Sequence, residues 1–409
     1  MLTITSDFQI ALRNLTRNTK RTIVSTLTVS GGILAFCLAS GFIAWIFDDM
    51  RDSTVRSQLG HIQIVTPGYY EKGIADPYSF LLPGTSGDFE AVSNLPGVVS
   101  VAPRLAFSGL ASFGDNTVAF IGEGVSPAKE KPISARINID AGQDMKSDSE
   151  ASVLLGEGLA NSLGVKIGDS IVLLVTTAKG GPNATEVRVV GIFNTTSKQF
   201  DDQFLRLPIQ RARSLMKVDG GTAWVLLLES HKLTTPIVAT LKDKLPSEQY
   251  EIIPWTALAD FYNKTVVLFT SQIQVVKIII GLIIVLSISN TQMMSVLERT
   301  TEIGTNLALG QRRLAIMRLF LIEGFLIGLM GGIAGTLFAW VAATSISAIG
   351  LPMPAAPGMS HGFIGRILFT PQIVFDALVL AVTTTLLASI LPAWKASRLN
   401  IVDALRYNQ

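Results

Sequence analysis

Few residues in this 409-residue chain are of a type and spacing that could do chemistry. Its three histidines, His61, His231 and His361, stand too far apart to share a metal. Within residues 48–265 no HExxH or GxSxG occurs, so no metal site and no elbow nucleophile is expected there. "GVSPAKE" sets Ser126 near Lys129, but nothing around them completes a nucleophilic set. Asp201 and Asp202 could form an acid/base pair; surface acids are more commonly a solvated loop. No GxxxxGK[ST] is present, so the chain has no phosphate loop of its own for ATP. A net charge of +2 gives no reason to invoke nucleic acid. These exclusions point to a binding or transmission module with no cofactor of its own. What stands out instead is "ERTTEIGTNLALGQRR", residues 298–313, between two long apolar runs, and a lone acid, Glu323, inside the second run.

The elements that hold these residues must be set in lipid. Charged residues make up 16% of the chain, against about 25% in soluble proteins. A helix crosses a bilayer in about 20 residues, and four segments reach that length. The expected order is a cytoplasmic amphipathic segment at 1–22, spans at 23–47, 266–290, 314–346 and 372–395, and an outer domain at 48–265. A cytoplasmic coupling loop at 291–313, an outer loop at 347–371 and a cytoplasmic tail at 396–409 complete it. Lys277 interrupts the second span. The first apolar run is about twice the length of a signal peptide's core, which favours an uncleaved anchor. Arg13, Arg17, Lys20 and Arg21 precede the first span, Arg312, Arg313 and Arg318 open the third, and Lys395, Arg398 and Arg406 follow the fourth. The positive-inside rule then puts both termini in the cytoplasm and residues 48–265 outside. The lone cysteine, Cys37, is expected as a small buried apolar side chain.

Residues 48–265 read as α/β with a strand bias. "HIQIVTP" alternates and stops at proline, and "SVLLGEGLANSLGVKIGDSIVLLV" reads strand, helix, glycine turn, strand. "TEVRVVGIF" and "GTAWVLLLES" are further strands, and "PIVATLKDKL" is helical. "ADPYSFLLPGTSG" sets Tyr78, Phe80, Leu81 and Leu82 among turn formers. They are either an exposed contact loop for cargo or a partner, or a loop that tucks its aromatics into the core.

In the third span, Gly324, Gly328 and Gly332 are four apart, as are Gly331 and Gly335. Small residues at this spacing let helix backbones approach closely. Glu323 is costly at such depth and must face protein or water. A hydrogen bond to a neighbouring helix and a proton relay are the two readings. Asp376 is expected to reach interfacial water. Pro392 should bend or end the fourth helix.

The charged stretch reads as a short docking helix, with Glu298 and Glu302 four apart and Gly304 and Ala308 forming a narrow strip. A solvated connector is the plainer alternative. Arg312 and Arg313 would meet headgroups. "ERTTEIGTNLALGQRRLAIMRLFLIEGFLIGLMGGIAG" resembles the signature of FtsX/MacB-type ABC permeases, at Arg299, Glu302, Ile303, Gly304, Ala308, Gly310 and Glu323. "LPAWKASRLNIVDALRY" resembles the family's ending, at Pro392, Ala393, Ala396, Asp403, Ala404, Leu405 and Arg406. "IALRN" at 10–14 fits its N-terminus, and "LLGEGLANSLGVKIGDSIVLL" and "VVGIF" resemble its MacB-type periplasmic domain.

The resemblance implies an inner-membrane protein of four transmembrane helices, with a large α/β periplasmic domain between the first two. It also implies a coupling helix that docks on a separate ABC ATPase (MacB/LolD-like), which binds ATP and Mg, and pairing with a second permease copy or paralogue. The implied mechanism is mechanotransmission. The chain is most like the lipoprotein-release (LolC/LolE-like) branch, which implies lipidated or amphiphilic cargo and a periplasmic carrier or adaptor; its length and lack of a fused ATPase suit that branch. The alternatives are MacB-type efflux of peptides or antibiotics, and an FtsX-like regulator of a cell-wall hydrolase. The proline-rich "LPMPAAPGM" could line a cargo gate or merely separate two helix ends.

Overall fold

The computed structural model describes residues 2–73, 76–84, 86–195, 197–355 and 362–401. His361, residues 356–359 of the proline-rich loop, and Asp403, Ala404, Leu405 and Arg406 of the family-like ending lie outside the described residues. The chain divides into a helical unit, Met1–Phe47, Val266–Pro352 and Ile364–Gln409, and a sheet unit, Asp48–Thr265 and Met353–Phe363.

Six helices serve the helical unit: α1 (Leu2–Arg17), α2 (Thr19–Thr54), α3 (Asp260–Glu298), α4 (Thr300–Ala308), α5 (Arg313–Ile349) and α6 (Pro371–Ser397). Four of them, α2, α3, α5 and α6, are long and apolar enough to cross a membrane. They outrun the apolar windows because a helix does not stop where its apolar stretch does. The 39 residues of α3 extend about 58 Å at 1.5 Å per residue, against a hydrocarbon core of about 30 Å. Of the two outcomes expected at Pro392, ending is excluded, since α6 continues to Ser397. A proline removes one bond of the ladder, and apolar surroundings favour keeping the rest.

Helix α5 is the centre of the packing. A Cβ added at Gly324 would lie 1.9 Å from Ser389 Oγ of α6, and one at Gly328 would lie 2.1 Å from Thr385 Oγ1. At Gly332 it would lie 3.0 Å from Leu378 of the same helix. The second glycine row faces α2: a Cβ at Gly331 would lie 2.6 Å from Val29 Cβ, and one at Gly335 would lie 2.8 Å from Ile33 Cβ. Ser30 Oγ also donates to the Gly331 carbonyl at 3.1 Å. One helix thus carries two small-residue rows for two neighbours. Close approach maximises dispersion contact, which lipid does not otherwise favour.

Among the described residues, ten strands form the large sheet of the sheet unit: β1 (Ile62–Val65), β2 (Val98–Phe113), β3 (Asn116–Val125), β4 (Asn138–Gly142), β5 (Ser152–Gly156), β6 (Ser170–Thr176), β7 (Pro182–Asn194), β8 (Phe204–Pro208), β9 (Ala223–Leu228) and β10 (Glu251–Pro254). They pair in the order β10-β1-β9-β2-β3-β8-β5-β7-β4, and β6 joins β2 to β7. Pairing therefore closes a six-strand circuit, β2-β3-β8-β5-β7-β6. The length of β2 allows this: its first half pairs with β9 and its far end with β6. Alternate residues of the circuit, including Leu105, Phe107, Phe120, Leu155, Leu173, Val187 and Leu205, form one buried cluster. A second cluster gathers Ile62, Ile64, Leu82, Phe89 and Trp224. The turn before β6 depends on Gly164 and Gly168, whose φ values of +74° and +94° suit glycine.

Candidate functional site

The stretch that joins α3 to α5 is ordered by its charges. Backbone helicity lapses at Arg299 (φ −104°, ψ 16°), which caps α4 without a side-chain cap bond. Helix α4 then runs to Ala308, and Gly310 adopts φ +90° to turn the chain towards Arg312, the residue that precedes α5. No atom would contact a Cβ at Gly310, so its left-handed backbone alone makes glycine the favoured residue.

Arg299 and Glu323 point into the unit and meet. Arg299 Nη1 donates to Glu323 Oε1 at 3.0 Å, and Asn14 Nδ2 of α1 donates to the same oxygen at 2.7 Å. The side chains are 11% and 7% exposed, so each charge depends on the other. The guanidinium also lies 5.6 Å from the Phe320 ring centre, a cation–π distance. Glu323 therefore makes the hydrogen bond to a neighbouring helix that one of its two readings requires.

The other carboxylates face outward and take arginines from the N-terminal segment. Arg17 Nη2 donates to both oxygens of Glu302, at 2.7 and 2.9 Å, and Arg21 of α2 pairs with Glu298. The hydrogen bond from Arg17 holds the Glu302 carboxyl below its usual range and raises the Arg17 guanidinium. At the far side of α1, Asp7 Oδ2 forms an ion pair with Arg318 Nη2 at 2.6 Å. Among these side chains lies a polar cavity of about 30 Å³, lined by Asn14, Arg17, Arg21, Gln292, Arg299 and Glu323. That is about the room of one water molecule.

The proposed strip is changed by this packing. Ile303 and Gly304 are buried within the chain, while Ala308, Gly310 and Arg312 are exposed. Glycine at 304 thus packs inward, and the surface of α4 and its exit is formed by Thr305, Asn306, Ala308, Leu309 and Gln311. Leu309 is 81% exposed, an apolar side chain open to a partner.

In the sheet unit, Tyr78, Phe80, Leu81 and Leu82 turn inward. Tyr78 and Leu81 pack on the circuit's core, Leu82 is 3% exposed, and Phe80 stacks edge-on to Tyr69. The sequence's contact-loop alternative therefore loses its exposed aromatics. Asp201 is not a solvated acid: its carboxylate accepts from the Thr195 N–H at 3.0 Å and Oγ1 at 2.8 Å, and burial raises it to about 6. Asp202 pairs separately with Lys198 at 2.9 Å. Lys129 lies over the Phe89 ring, away from any role beside Ser126. Among the described residues no group of acids, histidines and cysteines is placed to hold a metal.

Sequence reasoning missed one buried network. Arg104 forks onto Glu130, with Nη2–Oε1 2.6 Å and Nε–Oε2 3.2 Å, and reaches Glu123 at 3.3 Å. Arg206 lies 3.5 Å from Glu130 and 3.4 Å from Glu123. Both arginines also hold the turn after α2, through the carbonyls of Gln58 and Ser57. No local pattern marks such a cluster, because its members come from three strands and the short helix Pro127–Glu130.

The profile of the MacB-like periplasmic core domain matches residues 22–244, more than half of the chain, and that of the FtsX-like permease C-terminal domain matches 275–401. A lipoprotein-releasing system transmembrane protein LolC of Xylella fastidiosa is 25% identical over 76% of this chain and 78% of its own. An uncharacterized ABC transporter permease of Methanocaldococcus jannaschii is 23% identical over 97% and 96%. A macrolide export ATP-binding/permease protein MacB of a Shewanella species is 26% identical over 78% of this chain, which spans 48% of that relative. The periplasmic region of MacB from Actinobacillus actinomycetemcomitans aligns over 53% of this chain and 96% of its own, at 14% identity and a TM-score of 0.37. The fold and the matched profiles define a membrane permease with a MacB-like domain. The chain belongs to the FtsX/MacB-type family of ABC transporter permeases, among relatives named LolC, LolE and MacB.

Proposed function

We propose that this chain is a non-catalytic permease subunit that works by mechanotransmission in the inner membrane, both termini cytoplasmic and residues 48–265 periplasmic. A separate ABC ATPase docks on the exposed side of α4, around Ala308 and Leu309. ATP-driven closure of the ATPases pushes α4, tilts the spans of a permease pair and moves the outer domains. The cargo is a lipoprotein or similar amphiphile, extracted from the membrane and passed to a periplasmic carrier.

The observation that carries this reading is α4 itself. It is a short helix between two candidate spans, anchored inside by Arg299 and offering an apolar side chain outside. The lipoprotein branch is supported by relatives named as lipoprotein-releasing proteins. The macrolide-export relative, of similar identity over a similar share of this chain, favours efflux of a small amphiphile as the second reading.

Affinity capture of the full chain from native membranes tests both levels. Co-purification of an ABC ATPase with the wild type, and its loss in Ala308→Trp at unchanged membrane yield, is the expected result. Trapped acylated protein would support the first cargo. An ATPase retained by Ala308→Trp would contradict the docking surface.

A further inference from the structure

The charges around α4 have a register that the docking reading does not require. Arg17 and Arg21 are four apart and flank the turn at Asn18 between α1 and α2; Glu298 and Glu302 are four apart and flank the lapse at Arg299 between α3 and α4. They pair crosswise, Arg17 with Glu302 and Arg21 with Glu298. Two helix breaks are thus laid against each other by two ion pairs of matched spacing.

The pairs differ in the solvent they meet. Arg17 and Glu302 are 52% and 51% exposed, and Glu298 is 44% exposed. Arg299–Glu323, behind them, is almost closed off. An exposed pair biases an equilibrium by only about two- to fivefold and is screened by salt. A buried pair cannot part without stranding a charge. Asn14, on α1, reaches through to the inner pair, and Asp7 fixes the other end of α1 to Arg318.

We propose that α1 and the first turn of α2 form an ionic clamp on the coupling helix. The inner Arg299–Glu323–Asn14 group is its fixed pivot. The outer crosswise pairs are a latch that opens and closes, so movement of α4 is passed directly to the start of α2. Two features favour a latch over static cross-linking. The outer pairs set two arginines against two glutamates, so opening leaves no net charge to be neutralised. The breakable pairs also sit at helix breaks, where backbone can rotate with the least loss of hydrogen bonds. The clamp is a property of this chain alone, so its test involves no ATPase and its failure would not bear on docking.

The test is hydrogen exchange on the full chain in lipid nanodiscs, read on peptides covering residues 300–308, for Arg17→Glu, Glu302→Arg and the double exchange. Each single variant should speed exchange there several-fold while α5 keeps its protection, and the double variant should exchange more slowly than either single, short of the wild type because Glu302 also bonds Arg299 at 3.5 Å. Raising salt to about 1 M, where the screening length is about 3 Å, should move the wild type towards the single variants. The pair Arg21→Glu with Glu298→Arg gives a second cycle, should one single variant fold poorly. Singles with unchanged exchange, or doubles no better than their singles in both cycles, would overturn the clamp.

Discussion

Arg299 and Glu323, 24 positions apart, bring Nη1 and Oε1 to 3.0 Å, and so tie the end of α3 to the interior face of α5. The pair brings the coupling stretch and the glycine-lined helix into one packed unit. Arg299→Met would leave Glu323 with Asn14 as its remaining partner, and Glu323→Leu would leave the guanidinium with only its 3.5 Å contact to Glu302. Either change should cost about 3–5 kcal/mol. The double change to apolar residues should recover most of that loss. Thermal unfolding of the full chain in detergent measures it, and a double variant as weak as the singles would contradict the pairing.

The glycine rows give a prediction with an internal control. A Cβ at Gly324 would sit 1.9 Å from Ser389 Oγ and 2.9 Å from its Cβ, so rotation of the serine does not relieve the clash. Gly324→Ala should cost about 1–3 kcal/mol by overpacking. Gly31, on α2, has nothing within 4 Å of its would-be Cβ. Gly31→Ala should raise stability by about 0.5–1 kcal/mol, because alanine loses less backbone entropy in a helix. Melting curves that shift alike for the two would contradict the packing described.

In the sheet unit the fork between Arg104 and Glu130 makes a test of geometry rather than charge. Arg104→Lys keeps the charge but cannot present two parallel donors. It should lose a large part of the roughly 3–5 kcal/mol expected for Arg104→Met. Urea unfolding followed by tryptophan fluorescence reads the difference. A lysine variant as stable as wild type would show that the fork is not needed.

His61 predicts a dependence on pH. Its Nδ1 accepts the Leu228 N–H at 3.1 Å, so the native ring is neutral. Burial, with Arg56 and His231 adding to it, lowers its pKa from the ordinary 6.5 to about 4. Between those values the native state binds fewer protons than the unfolded one. Its contribution is therefore whole above about pH 6.5 and declines as pH falls towards 4. His61→Gln, whose amide oxygen can accept the same bond, should flatten the slope of stability against pH in that window. An unaltered slope would assign the titration to another group.

Much of the architecture was legible because its signals are local. Apolar length marks α2, α3, α5 and α6, alternation marks β1, and short runs rich in valine and isoleucine mark β6 and β7. Glycine marks the turns at Gly164 and Gly168. The glycine spacing of α5 was also legible, but not that its two rows serve two different helices. That depends on where α2 and α6 lie, which no spacing records. Gly304 misled for a similar reason: its spacing to Ala308 is that of a surface strip, and only the inward pull of Arg299 and Ile303 shows that it packs inside. The crosswise pairing of Arg17 and Arg21 with Glu298 and Glu302 links residues almost 300 positions apart. Charges that distant look like independent surface groups until the fold brings them together.

The central claim is that a push on α4 moves the outer domain. Dyes placed at Lys179, on the β6–β7 turn, and at Ile349, at the end of α5, would report it by single-molecule energy transfer in the full complex with its ATPase. The account predicts that the transfer distribution shifts between the nucleotide-free complex and one trapped with ATP, and that Ala308→Trp abolishes the shift. A distribution identical in both nucleotide states, with the ATPase bound throughout, would contradict it.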